Sequence, residues 1–337
     1  MAQIDALFKY VKDNSASDLH LVVGDPPKIR VHGTIASIPN VPVLSETIMR
    51  KLLFEIMNEK QTKSYTEDRD LDFAYALEGV GRFRCNYFWQ NRGPAAVFRL
   101  IPEKIRALAD LNLPPVISSL ADYTRGLILV TGPTGSGKST TLAAIINEIN
   151  EKHSRHIVTI EDPLEFVHTP KKALITHREI GTHAESFDSA LRASVREDPD
   201  VILVGEMRDL ETIRLAITAA EMGFLVFGTL HTNSAAKTID RIVDVFPAAQ
   251  QPAVRTMLGG SLAAIVSQLL VKSADLKGRC CANEVLIATS GLGNVIREGN
   301  ISMIKNMIQS GGNLGMQTMD TALEKLMQAG KADGEDV

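Results

Sequence analysis

The octet Gly132-Pro133-Thr134-Gly135-Ser136-Gly137-Lys138-Ser139 constrains this chain more than any other stretch. It satisfies G-x-x-x-x-G-K-[ST] at every fixed position. The continuous apolar run 127–130 precedes it, the pattern of a strand buried on both faces. Leu142, Ile145, Ile146 and Ile149 follow at helical spacing. A strand, a glycine-rich loop and a helix in that order form a phosphate cradle. The glycines let backbone N–H groups curl round the anion, and the helix points its positive end at it. In such a cradle Lys138 reaches the β- and γ-phosphates and Ser139 ligates Mg²⁺. Thr140 is counted with the loop. ATP and Mg²⁺ are the expected ligand and cofactor.

A chain of 337 residues exceeds what one core usually organises, so two domains are expected. Residues 1–100 read as a small α+β domain. An amphipathic start carries Ile4, Leu7, Phe8 and Val11 on one face. Leu19, Leu21 and Val23 then alternate with polar neighbours, as do Ile29 and Val31 after the turn Gly24-Asp25-Pro26-Pro27. The stretch 49–57 is helical in pattern. The stretches 80–88 and 95–100 read as strands joined by Asn91-Arg92-Gly93-Pro94. Residues 101–115 contain three prolines and read as a linker. Residues 116–337 change character. The apolar runs 127–130, 157–160, 201–204 and 225–227 alternate with helical patterns, which implies a mostly parallel sheet flanked by helices. The last 80 or so residues read as largely helical, ending in a helix marked by Met319, Leu323, Leu326 and Met327 and a polar, frayed tail over 331–337.

Three further clusters point to the same chemistry. The strand 201–204 ends in Gly205-Glu206, where a carboxylate would sit beside a nucleotide's metal, contacting it through a metal-bound water. Glu161-Asp162-Pro163-Leu164-Glu165 follows the strand 157–160. Hydrolysis needs a carboxylate to position and deprotonate water, and spacing alone does not choose among Glu161, Asp162 and Glu165. The plain alternative is ion pairing in a loop. Thr229, His231, Thr232 and Asn233 leave a third strand together and are placed to sense a γ-phosphate, although a histidine at a strand end is often structural. Arg82 and Arg84 share one strand face, opposite Phe83 and Cys85, and Arg99 lies in the next strand. They suit either a solvated face or a charge supplied to a neighbour's phosphates.

Composition narrows the alternatives. The net charge of −4 without a long basic run argues against a nucleic-acid surface. No apolar run approaches the roughly 20 residues of a membrane span, and the N-terminal stretch lacks a signal-peptide core, so a cytoplasmic protein without direct membrane insertion is expected. Cys85, Cys280 and Cys281 are badly spaced for zinc or a disulfide framework and read as small apolar residues.

Taken together, these pieces resemble the secretion ATPases of type II and type IV systems, and most closely the PilT-like type IV pilus retraction ATPases, over almost the whole chain. The resemblance rests on Ala16-Ser17-Asp18-Leu19-His20-Leu21 with Gly24, Pro26-Pro27, Arg30 and Gly33. It rests also on the long pattern from Arg196-Glu197-Asp198-Pro199-Asp200 through Gly205-Glu206-Met207-Arg208-Asp209. The acidic cluster resembles the family's "Asp box" and residues 228–233 its "His box". The four-cysteine module of assembly-type relatives is absent. In the stretch Gly291-Leu292-Gly293-Asn294-Val295-Ile296-Arg297-Glu298, which is similar to the retraction element A-I-R-N-L-I-R-E, Gly293 replaces the first arginine.

The resemblance implies a PAS-like N-terminal domain, a RecA-like P-loop ATPase domain and a homo-hexameric ring. It implies Arg84, Arg99 and Arg279 at the nucleotide, Glu165 as general base, Glu206 as the acid near the metal, and His231 coupling nucleotide state to domain position. It implies a motor for pilus retraction and twitching motility, working at the inner membrane through a pilus platform protein. An accessory or assembly-side ATPase of the same superfamily, and a RecA-like nucleic-acid translocase, stand as alternatives.

Overall fold

The computed structural model describes residues 2–31, 33–101, 104–274 and 278–332, and the chain divides into two compact units, Met1–Lys104 and Ile105–Val337. The expected linker falls partly outside the described residues, at 102–103. Ile101 ends a strand of the first unit, and residues 105–115 belong to the second, where Leu108 is buried in the core.

In the first unit the order is α1 (Asp5–Asp13), β1 (Asp18–Val22), β2 (Lys28–Val31), β3 (Thr34–Ser37), α2 (Glu46–Phe54), α3 (Glu59–Asp68), β4 (Asp70–Leu77), β5 (Gly81–Gln90) and β6 (Gly93–Ile101). The six strands form one antiparallel sheet in the order β3-β2-β1-β6-β5-β4. Ile4, Phe8 and Val11 lie three and four apart on α1 and are fully buried. Phe8 stacks on Phe83 and meets Phe98 edge-on. Period-two alternation buries Phe83, Cys85 and Tyr87 on one face of β5 and leaves Arg82 and Arg84 on the other. Helix α2 starts at the Ser45 cap, whose side chain accepts from Ile48 N, three residues before the apolar pattern suggests. Helix α3 has one buried residue, Tyr65, and is set by the Asn58–Gln61 capping box, so it carries no apolar stripe to read.

The second unit runs α4 (Pro115–Ser119), β7 (Gly126–Thr131), α5 (Lys138–Lys152), β8 (His156–Glu161), β9 (Leu174–Glu179), α6 (Phe187–Ser194), β10 (Val201–Val204), α7 (Leu210–Glu221), β11 (Leu225–Leu230), α8 (Ala235–Asp244), α9 (Gln251–Ser261), β12 (Leu262–Lys272), β13 (Arg279–Ile287), α10 (Ser290–Glu298), α11 (Ile304–Ser310) and α12 (Met319–Gln328). The sheet order is β13-β12-β7-β11-β10-β8-β9, parallel throughout except for β13, which pairs antiparallel to β12. Strands β7, β10 and β11 are buried along their whole length, as doubly covered parallel strands require.

The structure corrects the expectation of a largely helical last 80 residues. Strands β12 and β13 stand there, and α9 passes into β12 without an intervening turn. A short apolar run such as 262–266 has no period that separates a buried strand from a buried helix. The tail begins tied down. Ala274 N donates to Lys331 O at 2.9 Å, and Ser273 bridges Ala332, while 333–337 lie outside the described residues. Gly293 has a packing reason. A Cβ there would come 2.7 Å from the Gly259 carbonyl where α10 crosses α9, so the crossing leaves no room for a side chain.

Candidate functional site

Parallel register gathers the motifs at one edge of the second sheet. Thr131 pairs with Leu230, Gly228 with Val204, and Val204 with Ile160. The residues that follow these strands therefore leave side by side, at the carboxyl ends where open α/β sheets bind ligands. They are the phosphate loop after β7, His231 after β11, Glu206 after β10 and the acidic cluster after β8.

The loop has the geometry expected of it. Gly132 adopts φ +145°, and a Cβ on it would lie 2.4 Å from the Gln268 carbonyl and 2.6 Å from Ser136 Oγ. Gly137 caps α5 at φ +90°, in the left-handed region that glycine enters freely. Helix α5 then starts at Lys138, so its first N–H groups have no partners within the helix. Pro133, Thr134 and Gly135 are exposed and Ser136 is buried.

Lys138 is buried, with its Nζ donating to Gly132 O at 2.8 Å and to Pro133 O at 3.0 Å. Burial pushes its pKa down, and the charges of Glu206 and Glu165 oppose that shift. Among the described residues no carboxylate pairs with it. A buried ammonium without a counter-ion is costly unless an anion arrives, so the loop fits a polyphosphate.

Glu206 accepts from two sides. His231 Nε2 lies 2.8 Å from Oε1 and an Arg208 guanidinium nitrogen 2.6 Å from Oε2. Burial works against its charge, but Arg208 and then His231 hold its carboxyl below the usual range. The Ser139 hydroxyl and the Glu206 carboxylate are hard oxygen donors of the kind Mg²⁺ takes. Thr229 Oγ1 donates to Gly205 O at 2.5 Å, which fixes the strand end carrying Glu206. Thr232 is tied to Thr238 at 2.6 Å at the start of α8, and Asn233 is exposed.

In the acidic cluster, Glu165 N donates to Glu161 Oε2 at 3.2 Å, and Asp162 is exposed. Glu165 is half-buried and near enough for its charge to act on Lys138. The loop is braced from β9, where Glu179 accepts from Leu164 N at 3.1 Å. Residues 174–179 carry no strand pattern that would announce β9 and this brace, and nothing in the motif singles out its Arg208 as the partner of Glu206.

Arg279 lines a cleft of about 710 Å³ beside the loop, with Ser136, Gly137, Thr140 and Gln268. That volume suits a nucleotide-sized ligand. A smaller hollow of about 560 Å³ is lined by Pro133, His231, Asn233, Lys237 and Gln268. Arg84 and Arg99 belong to the first unit. They are register partners across β5 and β6, Arg84 Nε 3.8 Å from Asp72 and Arg99 Nε 2.8 Å from Asp18. Among the described residues no helix is long and apolar enough to cross a membrane.

The family model described as "Type II/IV secretion system protein" matches residues 2–290. The type IV pilus retraction ATPase PilT of Pseudomonas aeruginosa is 52% identical over 327 residues, covering 97% of this chain and 94% of that protein. A twitching motility protein of Neisseria gonorrhoeae is 54% identical over 304 residues, covering 90% and 81% respectively. The crystal structure of the pilus retraction motor PilT with bound ADP superposes with a TM-score of 0.92 at 45% identity, covering 100% of this chain and 96% of that one.

Proposed function

The chain belongs to the type II/IV secretion system protein family, and we propose that it is an ATP-hydrolysing motor that powers type IV pilus retraction and so twitching motility. The observation that carries this reading is the contact chain Glu206–His231–Lys138 at the mouth of a complete phosphate loop, in a chain similar along almost its whole length to a retraction ATPase.

In this reading the loop residues 132–139 with Thr140 bind the phosphates of ATP, and Lys138 spans the β- and γ-groups. Mg²⁺, held by Ser139 and, partly through water, by Glu206, would neutralise charge on the phosphate oxygens. Glu165 serves as the general base. It is half-buried and its charge reaches Lys138, whereas Asp162 is exposed. His231 links the loop lysine to Glu206. Arg279 contacts nucleotide from the cleft wall.

The working unit is a homo-hexameric ring, and the first unit is a PAS-like domain. Arg84 and Arg99 stand exposed on one sheet face, where a neighbouring subunit's nucleotide would draw their charge. The domain angle would change as the γ-phosphate is lost. The partner is the cytoplasmic part of an inner-membrane platform protein, with the motor cytoplasmic and peripheral to the membrane. A net charge of −4 supports a protein partner over nucleic acid. The test is a deletion strain scored for surface pili and twitching. Hyperpiliation without motility is expected. Loss of pili would instead assign the chain to assembly, and turnover stimulated by single-stranded DNA would favour a translocase.

A further inference from the structure

The phosphate loop is fastened to β12 at successive residues. Ser267 Oγ meets Thr131 Oγ1 at 2.8 Å, where β7 ends. The next residue, Gln268, packs its backbone carbonyl against Gly132, which leaves no space there for a Cβ. The Gln268 side chain is 1% exposed, and its Nε2 donates in two directions. One bond, at 3.0 Å, goes to Thr141 Oγ1 on the first turns of α5. The other, at 3.0 Å, goes to Cys281 Sγ on β13. Gln268 Oε1 is buried with no hydrogen-bond partner among the described residues. A half-satisfied carboxamide is a poor way to fill a core, and an apolar side chain of equal size would fill it at less cost.

What those two bonds hold apart is the cleft. Arg279 and Cys281 lie two apart on β13 and so share a face, and both line the cleft together with Gln268 and Thr141. Arg279 sits at the exposed end of that strand, paired in register with Lys272. The direction of its guanidinium therefore depends on how the β12–β13 hairpin is set against α5. Gln268 joins all three elements through one side chain. Resting on the nucleotide-site reading above, we propose that Gln268 is a positioning residue. It sets the separation between the phosphate-loop helix and the Arg279-bearing face of β13, and so tunes the grip on the nucleotide.

The test uses the full chain with Mg-ATP and reads KM, kcat and thermal midpoint together. Gln268→Met keeps the unbranched shape at slightly larger volume and removes both bonds. Loss of one hydrogen bond of ordinary net strength corresponds to roughly a fivefold change, and the expected result is a rise in KM for ATP of at least about that size. Thr141→Val, which cuts only the tie to α5 and keeps the side-chain shape, should raise KM in the same direction. In an Arg279→Ala background the effect of Gln268→Met on KM should vanish, because the group being aimed is gone. Three results overturn the proposal: an unchanged KM in Gln268→Met with only a lowered midpoint, an unchanged KM in Arg279→Ala, or a Gln268→Met effect that persists undiminished without Arg279. Failure of the nucleotide-site reading has a separate signature, which is undiminished ATP turnover in Lys138→Ala.

Discussion

The His231 ring stands between two groups of opposite charge, with Nε2 2.8 Å from Glu206 Oε1 and Nδ1 3.5 Å from Lys138 Nζ. An ammonium only donates, so Nδ1 faces it as an acceptor, and the ring proton lies on Nε2 and is donated to the carboxylate. The ring thus joins the loop lysine to the carboxylate that follows β10. His231→Ala should leave ATP binding within a few-fold of wild type while turnover falls about a hundredfold, the size of a lost proton-handling or positioning group. Measured kcat and nucleotide affinity check this. Equal losses in both would mean that the ring serves binding alone.

Glu165 and Glu206 should fail differently. Glu165→Gln keeps the loop and Glu206 intact, so the purified protein should retain bound ATP without hydrolysing it. Glu206→Gln alters the carboxylate held by Arg208 and His231, so it should weaken the Mg²⁺ dependence of turnover. Nucleotide extracted from each variant and quantified as ATP or ADP separates them. Normal turnover in Glu165→Gln would move the base to Glu161 or Asp162.

A buried histidine gives the second unit an acid-side weakness. His168 is 4% exposed and its ring stacks against His177, 5.8 Å away. Burial, with the charges of His177 and Lys171, pushes its pKa down to about 4. The folded state therefore takes up a proton less readily than the unfolded chain. Stability is full above the ordinary histidine value near 6.5 and declines as pH falls from there towards 4, by roughly 3 kcal/mol in all. Thermal midpoints across that window should fall in the wild type and flatten in His168→Phe. An equally steep decline in the variant would place the titration elsewhere.

Much of this was legible in the residues. The loop was, because G-x-x-x-x-G-K-[ST] between a strand and a helix admits few folds. The central strands were, because fully buried parallel strands are continuous apolar runs, as at Leu127–Val130 in β7. Arg82 and Arg84 on one strand face followed from period-two alternation. What stayed hidden lacked a local signature. Helix α3 is held by a capping box and one buried tyrosine. Strand β9 carries Thr176, His177 and Arg178, and β12 grows straight out of α9. The brace of Glu179 on Leu164 and the tie of Gln268 to Thr141 join residues 15 and 127 positions apart. Only the register of the sheet brings such pairs together.

Whether the octet 132–139 is the working nucleotide site is read from steady-state Mg-ATP turnover of Lys138→Ala against wild type. Lys138 is a buried cation whose Nζ donates to the Gly132 and Pro133 carbonyls. Turnover should fall about a hundredfold or more, to background, with an unchanged circular dichroism spectrum and thermal midpoint. Turnover within a few-fold of wild type in the folded variant would contradict it.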